Sequence, residues 1–250
     1  MSRLRGRVAI VTGSAAGLGK AMAVRFAAEG ASLVLADRDD AGSVVETIEA
    51  SGGVAIATRT DVSRPEDVDS MIETAMQRFG KIDILVNNAA IASTLVPRPF
   101  EEIDLSEWNR VLNVNIMGTV LPCRAVSPIM RGQGYGRILN FGSNTAVRGA
   151  PNLLQYVASK GAVQALSMSL AQELGGDGIT VNVIAPGYIE TDNNLANSAM
   201  VDNIRELAAR RRAISRAAVP EDVVETALFL ISEGAGFVSS QVIVVNGGPA

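Results

Sequence analysis

The sequence predicts a doubly wound α/β fold, in which a mainly parallel sheet of seven strands carries helices on both faces. Short apolar, β-branched runs recur along the 250 residues, and stretches of helical period separate them. The runs are nearly continuous in apolar residues, as expected for strands buried on both faces. Strands that alternate with helices form parallel sheets with right-handed crossovers, and this pattern favours the doubly wound arrangement.

The predicted elements follow one another with a single interruption. The predicted strands are Val8–Val11, Ser32–Ala36, Val54–Thr58, Ile82–Val86, Gly136–Phe141, Thr180–Ile184 and Val242–Val245. The predicted helices are 18–29, 40–51, 65–79, 105–131, 153–175 and 220–232. Pro65 and Pro220 are each followed by acidic residues, which suits a first helical turn. The segment 188–218 interrupts the alternation after the carboxyl end of a strand, so we expect a substrate lid within one domain of residues 1–250.

Composition excludes several classes of function. The net charge of −4 gives no electrostatic argument for binding nucleic acid or an anionic membrane. The chain has no histidine, which excludes a Ser-His-Asp triad and a His-ligated metal site, so we expect no metal. The single cysteine, Cys123, suits a reducing compartment, and no apolar run approaches the ~20 residues of a membrane span. We therefore expect a cytoplasmic protein with a small-molecule substrate.

A glycine-rich loop, 12–19, directly follows the first predicted strand and opens the first predicted helix. Gly13 permits a tight turn, and Gly17 and Gly19 let the backbone approach a phosphate and the helix pack on the strand. The helix N-terminus offers N–H groups and a positive dipole end to a pyrophosphate. An ordinary glycine-rich turn is the alternative, but the strand–turn–helix context predicts dinucleotide binding. The expected contacts here are Gly13, Ser14, Ala16, Gly17, Leu18 and Gly19.

Asp37 ends the second predicted strand and favours NAD over NADP. A carboxylate at this place accepts hydrogen bonds from ribose hydroxyls and repels a 2′-phosphate. The neighbouring Arg38 either holds a phosphate or is a solvated arginine. Asp61 and Val62 follow the third strand and either reach the adenine or form a helix-capping loop. Asn88 and Ala89 follow the fourth strand, where an asparagine serves the local backbone at least as readily as a cofactor.

Tyr156 and Lys160 are the candidate chemical groups. They are four residues apart in a strongly helical stretch, so they share one helix face. A nearby ammonium favours the phenolate and is expected to lower the pKa of the tyrosine from about 10. Such a tyrosine acts as general base in alcohol oxidation and as general acid in carbonyl reduction. A surface Tyr–Lys pair is the alternative.

With these motifs the whole chain resembles the short-chain dehydrogenase/reductase family, whose members have a Rossmann fold and bind NAD(P). The glycine-rich loop matches the family's cofactor loop. The family's catalytic asparagine, serine, tyrosine and lysine match Asn115, Ser143, Tyr156 and Lys160, and its nicotinamide-facing turn matches Pro186, Gly187, Ile189 and Thr191. Two positions depart from the family pattern, since Ala90 replaces a glycine and Ser239-Ser240 replaces a Thr-Gly pair.

The resemblance implies a role for each matching residue. Ser143 orients the substrate oxygen, and Tyr156 exchanges the proton. Lys160 holds the ribose hydroxyls and lowers the pKa of the tyrosine. Asn115 belongs to a proton path that passes through its helix backbone and a water. Hydride moves directly between the substrate and the nicotinamide of NAD, and the protein is expected to be a homotetramer, for which the small-residue helix face Ala158, Ala162, Ala165 and Ser169 allows close approach.

The walls of the expected substrate pocket are mostly apolar, which predicts a secondary alcohol or ketone with hydrophobic substituents. Besides Ser143 and Tyr156, the candidates are Asn144, Arg148, Leu153, Leu154, Tyr188, Leu195 and Met200. Arg148 either pairs with a substrate carboxylate or is a surface residue, and Arg210–Arg212 is expected on a solvated helix face or in a subunit contact. The alternatives for the whole protein are a 3-oxoacyl-thioester reductase and a non-catalytic dinucleotide sensor.

Overall fold

The structure is a computed structural model that describes residues 2–196 and 212–248. Seven strands form one sheet in the order β3-β2-β1-β4-β5-β6-β7, and every neighbouring pair is parallel. The strands are β1 Val8–Thr12, β2 Ser32–Asp37, β3 Val54–Arg59, β4 Ile84–Asn87, β5 Gly136–Phe141, β6 Ile179–Pro186 and β7 Val242–Val245. The doubly wound fold is confirmed, and each predicted strand differs from the observed one by at most two residues at either end.

The helices wrap the sheet. They are α1 Gly17–Ala28, α2 Gly42–Ala50, α3 Pro65–Phe79, α4 Leu105–Leu112, α5 Gly118–Gln133, α6 Thr145–Arg148, α7 Leu154–Leu174, α8 Asp192–Ala196 and α9 Glu221–Ile231. The prediction of one α-helix over 105–131 is wrong, because a π-helical turn, Asn113–Met117, separates α4 from α5. Short 3₁₀ turns cover Phe100–Glu102, Gly175–Asp177 and Glu233–Ala235.

Two apolar cores hold the helices on the two faces of the sheet. On one face Phe26 of α1, Ile48 of α2 and Leu228 of α9 pack against inward side chains of the strands. On the other face Met71 of α3 and Met130 of α5 belong to the second cluster. All five side chains are almost wholly removed from water, and burial of each such side chain contributes roughly 1.5–3 kcal/mol to folding. Both faces of the central strands are therefore covered, which explains their nearly continuous apolar sequence.

The strand order fixes where a ligand site can form. The chain order reverses between β1 and β4, which are neighbours in the sheet although two strands separate them in sequence. Parallel register places the carboxyl ends of β1, β4, β5 and β6 along one edge. In a doubly wound sheet the crevice outside this edge is the usual ligand site. The residues that follow these four strands therefore define the candidate site.

None of the helices in 2–196 and 212–248 combines the length and the apolar character needed to cross a membrane.

Candidate active site

One large cleft of about 1630 Å³ opens at the carboxyl edge of the sheet. Its lining brings together the glycine-rich loop, the ends of β2 to β6, and the start of α7. The sequence-predicted residues that line it are Gly13, Ala16, Gly17, Leu18, Asp37, Arg38, Asp61, Val62, Asn88, Ala89, Ser143, Asn144, Arg148, Leu153, Leu154, Tyr156, Lys160, Pro186, Gly187, Tyr188, Ile189 and Thr191. The described ranges hold no cluster of three or more His, Cys, Asp or Glu residues suited to a metal ion.

The glycine-rich loop makes a close turn between β1 and α1. Gly13 has φ +66°, and a Cβ there would lie 2.8 Å from the Cα of Ala89. A Cβ at Gly19 would lie 1.9 Å from the carbonyl oxygen of Gly13, so Gly19 serves the packing of helix on loop. Helix α1 begins at Gly17 without a side-chain cap and without an acid in its first turn. Its N-terminal N–H groups and positive dipole end therefore suit an anion in the cleft.

Asp37 is fixed at the end of β2 by the loop next to it. Its carboxylate accepts hydrogen bonds from the N–H groups of Ala15 (2.8 Å) and Asp39 (3.0 Å). These bonds hold a carboxylate at the place where an adenosine ribose is expected. The neighbouring Arg38 is 77% exposed, and its closest charged partner is Asp39 at 3.9 Å. The site therefore has a fixed negative group and a solvated positive one.

Two predicted cofactor contacts also have structural roles. The Asp61 carboxylate accepts hydrogen bonds from the Ser63 N–H (2.9 Å) and hydroxyl (2.6 Å). Partial burial raises the pKa of Asp61, but these bonds outweigh it and the pKa lies below its usual value. The Asn88 side chain donates to the carbonyl oxygens of Thr12 (3.0 Å) and Gly13 (2.9 Å). Asn88 thus ties β4 to the glycine-rich loop, in agreement with the local role that the sequence left open.

Ser143 and Tyr156 meet at the floor of the cleft. The Ser143 hydroxyl is close enough to the Tyr156 phenol to favour the phenolate, which by itself lowers the pKa of the tyrosine. The Ser143 Oγ also accepts from the N–H (3.2 Å) and the hydroxyl (2.9 Å) of Thr145. Thr145 therefore fixes the serine rotamer from the first turn of α6, a contact that the sequence did not indicate.

Lys160 is buried below the tyrosine ring. Its side chain is 4% exposed, and its Nζ donates to the carbonyl oxygen of Phe141 at 2.7 Å. Burial lowers the pKa of Lys160 from 10.5 to about 8. Burial also raises the pKa of Tyr156, and this effect exceeds the opposite effect of the nearby Ser143 hydroxyl. The direction is opposite to the predicted lowering, because the ammonium faces Phe141 and lies 6.0 Å from the ring centroid.

Asn115 lies in the π-helical turn and is 1% exposed. Its Oδ1 accepts from the Ile91 N–H (2.8 Å), and its Nδ2 donates to the Ile91 carbonyl (3.2 Å) and to the Ser159 Oγ (3.0 Å). Ser159 in turn donates to the carbonyl oxygen of Tyr156 at 2.7 Å. One amide and one hydroxyl therefore join the loop after β4, the π-helical turn and the turn of α7 that carries Tyr156. Sequence reasoning missed Ser159, whose only signal was its place beside Lys160.

The expected substrate wall is partly apolar. Leu153 packs with Leu95, Val111 and Tyr156, while Leu154 and Arg148 are exposed along the same wall. The sequence did not indicate that Leu95, in the loop after β4, would contribute to this wall.

Several predicted contacts lie elsewhere. Leu195 is 42% exposed and outside the cleft, because α8 presents Asn193 and Asn194 to the cleft instead. Ser14 and Gly19 are buried behind the cleft wall. Met200, Arg210 and Arg211 lie outside the described residues.

Of the two places expected for Arg212, the solvated helix face is wrong. Arg212 is 9% exposed and donates to the carbonyl oxygens of Tyr188 and Arg216. These bonds replace water as partners of the guanidinium, which is why it can be buried. Arg212 thereby anchors the second described range, which begins at this residue, to the turn after β6.

Comparison with known proteins identifies the family. Residues 13–249 match the family model described as Enoyl-(Acyl carrier protein) reductase. The curated 7alpha-hydroxysteroid dehydrogenase of Escherichia coli is 37% identical over 98% of this chain and 95% of its own length. The chain belongs to the short-chain dehydrogenase/reductase family. It is an oxidoreductase that transfers hydride with NAD(P) and acts on hydroxyl or keto groups of small molecules.

Other relatives of this short-chain dehydrogenase/reductase are named for different activities. The 3-oxoacyl-[acyl-carrier-protein] reductase FabG of Thermotoga maritima is 36% identical, with 98% of each chain covered. A solved 7 alpha-hydroxysteroid dehydrogenase complexed with NADH and 7-oxo glycochenodeoxycholic acid superposes with a TM-score of 0.93 at 36% identity, covering 99% of this chain and 96% of that one. A putative gluconate 5-dehydrogenase from Beutenbergia cavernae with bound NADP gives a TM-score of 0.90 at 37% identity, covering 98% and 96%.

The two departures from the family pattern have different structural outcomes. Ala90 is exposed, and its φ is negative, so the methyl group fits without strain. Ser240 has φ 63°, in the left-handed region that favours glycine. Its N–H nevertheless donates to the Val181 carbonyl at 2.8 Å. The substitution at Ser240 is therefore strained and lies at the sheet edge, away from the cleft.

Proposed function

We propose that this enzyme interconverts a secondary alcohol and its ketone with NAD(H), and that Tyr156 is the general acid and base. The observation that carries the proposal is the proximity of the Ser143 and Tyr156 hydroxyls in the same cleft as the glycine-rich loop. A substrate oxygen between these hydroxyls would be held by one and protonated or deprotonated by the other. The apolar wall around Leu153 favours hydrophobic substituents on the substrate.

The residues at the dinucleotide end fit NAD. The free N-terminus of α1 would bind the pyrophosphate, and Asp37 would accept from the adenosine ribose hydroxyls. Lys160 would donate to the nicotinamide ribose, and the turn Pro186–Thr191 would face the nicotinamide ring. When bound, the oxidised cofactor supplies the hydride acceptor and a positive charge beside the phenol. We weigh NAD above NADP because Asp37 is fixed in the cleft, whereas Arg38 is solvated.

The remaining roles follow from the side chains in place. Thr145 sets the Ser143 hydroxyl, so the substrate oxygen is bound at a fixed place. Tyr156 is held as a phenol by burial, which suits proton donation to a ketone at neutral pH. In the direction of alcohol oxidation, the same group must lose its proton, so the rate should rise with pH. We further propose that Asn115 holds the proton path to solvent through its backbone.

A panel assay tests the proposal. NADH formation is measured across secondary alcohols, sugars, steroids and hydroxyacyl thioesters, and the reverse reaction across the matching ketones. Tyr156→Phe keeps the ring and removes the proton donor, and we expect at least a hundredfold loss of kcat. Turnover by Tyr156→Phe close to wild type would remove the acid–base role. Asp37→Ala should reduce the preference for NAD over NADP, and an unchanged preference contradicts the assigned cofactor.

A 3-oxoacyl-thioester reductase is the second candidate function. It is favoured by the match to two curated 3-oxoacyl-[acyl-carrier-protein] reductases at 36% and 37% identity. The fixed Asp37 weighs against a phosphorylated cofactor. The thioesters in the panel separate the two candidates, because a reductase of this kind would reduce them faster than it reduces simple ketones. A sensor without catalysis would turn over none of the panel.

We also propose a homotetramer, a substrate lid over 188–218 in one domain, and a cytoplasmic place of action. The exposed Ala158, Ala165 and Ser169 on α7 support close approach of a second copy. Ala165→Arg would place a charge in that contact. We expect the variant to sediment as a smaller species, and an unchanged sedimentation coefficient would move the interface elsewhere.

A further inference from the structure

The charges that line the cleft are separated along its length. Among the described lining residues the carboxylates are Asp37, Asp39 and Asp61, and all three lie at or just beyond the ends of β2 and β3, where the adenosine is expected. The half of the lining that contains Ser143 and Tyr156 carries two exposed arginines, Arg110 and Arg148, and no described carboxylate. The substrate half is therefore positive, although the whole protein has a net charge of −4.

Arg110 and Arg148 also differ from the arginines of this protein that form ion pairs. Arg3, Arg7, Arg25, Arg64, Arg98, Arg131 and Arg216 each pair with a carboxylate. Within 2–196 and 212–248, neither Arg110 nor Arg148 forms an ion pair or donates a side-chain hydrogen bond to protein. The third cation of this half, Lys160, is buried and donates to the Phe141 carbonyl. The two guanidinium groups thus have their donors available to a ligand.

Arg148 lies at a defined separation from the reacting centre. A tight turn leads from Ser143 into α6, since Ala146 N–H donates to the Ser143 carbonyl (3.1 Å) and Arg148 N–H to the Asn144 carbonyl (3.2 Å). Five residues at the helical rise give about 7.5 Å along the axis between Ser143 and Arg148. A group bound by Arg148 is therefore several bonds away from a substrate oxygen bound by Ser143. Leu153 and Leu154 line the wall of the same substrate half.

We propose that Arg148, with Arg110 adding to the local potential, binds a carboxylate of the substrate. This inference rests on the proposed alcohol and ketone chemistry and names its substrate class, an amphiphilic hydroxy or keto acid. The apolar body contacts the wall around Leu153, the acid end faces the arginines, and the oxygen lies between Ser143 and Tyr156. A guanidinium suits this role because it binds a carboxylate through two parallel hydrogen bonds.

The test uses binding, so that it does not depend on turnover. Aliphatic keto acids of increasing length and their primary amides are titrated by calorimetry into the full-length enzyme saturated with NAD⁺, which cannot reduce a ketone. For the best-fitting length we expect the acid to bind about tenfold more tightly than its amide in the wild type. Added salt should reduce that ratio, because the arginines are exposed.

Matched variants decide whether Arg148 causes the preference. Arg148→Ala should bring the acid-to-amide ratio to about one, and Arg148→Lys should keep part of it. Arg124→Ala is the control, since Arg124 is exposed, unpaired within the described residues and outside the cleft lining; it should keep the wild-type ratio. Equal binding of acid and amide, binding of neither across the series, or a preference that survives in Arg148→Ala would overturn the proposal.

The two proposals fail in different ways. Tyr156→Phe should lose turnover and keep the acid-to-amide binding ratio. Retained turnover in that variant contradicts the acid–base proposal alone, whereas a lost binding preference in the wild type contradicts the carboxylate site alone.

Discussion

Replacement of Lys160 by methionine should abolish catalysis and yet stabilise the fold at neutral pH. The ammonium lies at 4% exposure, and its partner in the described protein is the Phe141 carbonyl. Burial of a charge without an opposite charge costs free energy, and the lowered pKa of Lys160 reports that cost. Methionine has a similar length and carries no charge, so it removes the penalty and fills most of the space.

The magnitude follows from linkage between protonation and folding. A pKa lowered from 10.5 to about 8 corresponds to roughly 3 kcal/mol at pH 7. The variant also loses the bond to the Phe141 carbonyl, which offsets about 1–2 kcal/mol. We expect Lys160→Met to gain about 1–2 kcal/mol in the free energy of unfolding at pH 7. For a chain of this length the melting temperature should rise by roughly 2–4 °C per kcal/mol.

Denaturant unfolding at several pH values measures this effect. Between pH 8 and 10.5 the unfolded wild type binds more protons at Lys160 than the folded protein, so its stability should rise with pH relative to Lys160→Met. The advantage of the variant should therefore be largest below pH 8 and shrink above it. Lys20→Met, at an exposed position on α1, is the control and should show no such trend. A Lys160→Met protein that is less stable at pH 7, by an amount independent of pH, would refute the reasoning.

Three further predictions concern other parts of the molecule. Ser240→Gly should raise the free energy of unfolding by about 0.5–1 kcal/mol, because glycine removes the steric strain of the left-handed conformation (φ 63°) at some entropic cost. A lower melting temperature for this variant would count against strain at this position. Ser159→Ala should lower kcat by about tenfold with KM nearly unchanged, because the link from Asn115 to the Tyr156 carbonyl is lost. Ser159→Thr keeps the hydroxyl and should restore part of kcat. An equal fall of kcat in both variants would indicate that Ser159 acts through packing alone. Glu29→Gln should destabilise the protein near pH 6 and much less near pH 2. Bonds from Arg3 and Arg25 lower the pKa of Glu29 from 4.5 to about 2, and this stabilisation is lost as pH falls through that range. A destabilisation that is constant with pH would exclude the ion pair as its cause.

The fold was predictable because its signals are local. The apolar run Val8–Val11, for example, is buried on both faces, and such a run leaves few alternatives to a central strand. The π-helical turn at Asn113–Met117 was not predictable in the same way. Its backbone differs from an α-helix by one extra residue, and the contacts that hold it, such as Asn115 to Ile91, are distant in sequence.

The candidate site was predictable as a set of residues and less so as an electrostatic environment. The spacing of Tyr156 and Lys160 places them on one helix face, but it carries no information on burial. Burial decides the direction of both pKa shifts. It arises from tertiary packing, in which Lys160 is bonded to the carbonyl of Phe141 at the end of β5. The side of α8 that faces the cleft is likewise a tertiary property, which is why Leu195 lies outside while Asn194 lines the wall.

The turn after β6 determines where this enzyme can tolerate changes in chain length near its cleft. The chain leaves this turn at Asn194, whose amide donates to the Ile189 carbonyl (2.8 Å), and returns to it at Arg212, which donates to the Tyr188 carbonyl. Both ends of the intervening segment are thus fixed to neighbouring residues of one turn. For a flexible connection between two fixed ends, the entropy cost of closure grows only logarithmically with length, by about 0.6 kcal/mol for each doubling. Changes in chain length between these two anchors should therefore cost the sheet little free energy, and they would occur next to a cleft that Tyr188 and Asn194 line.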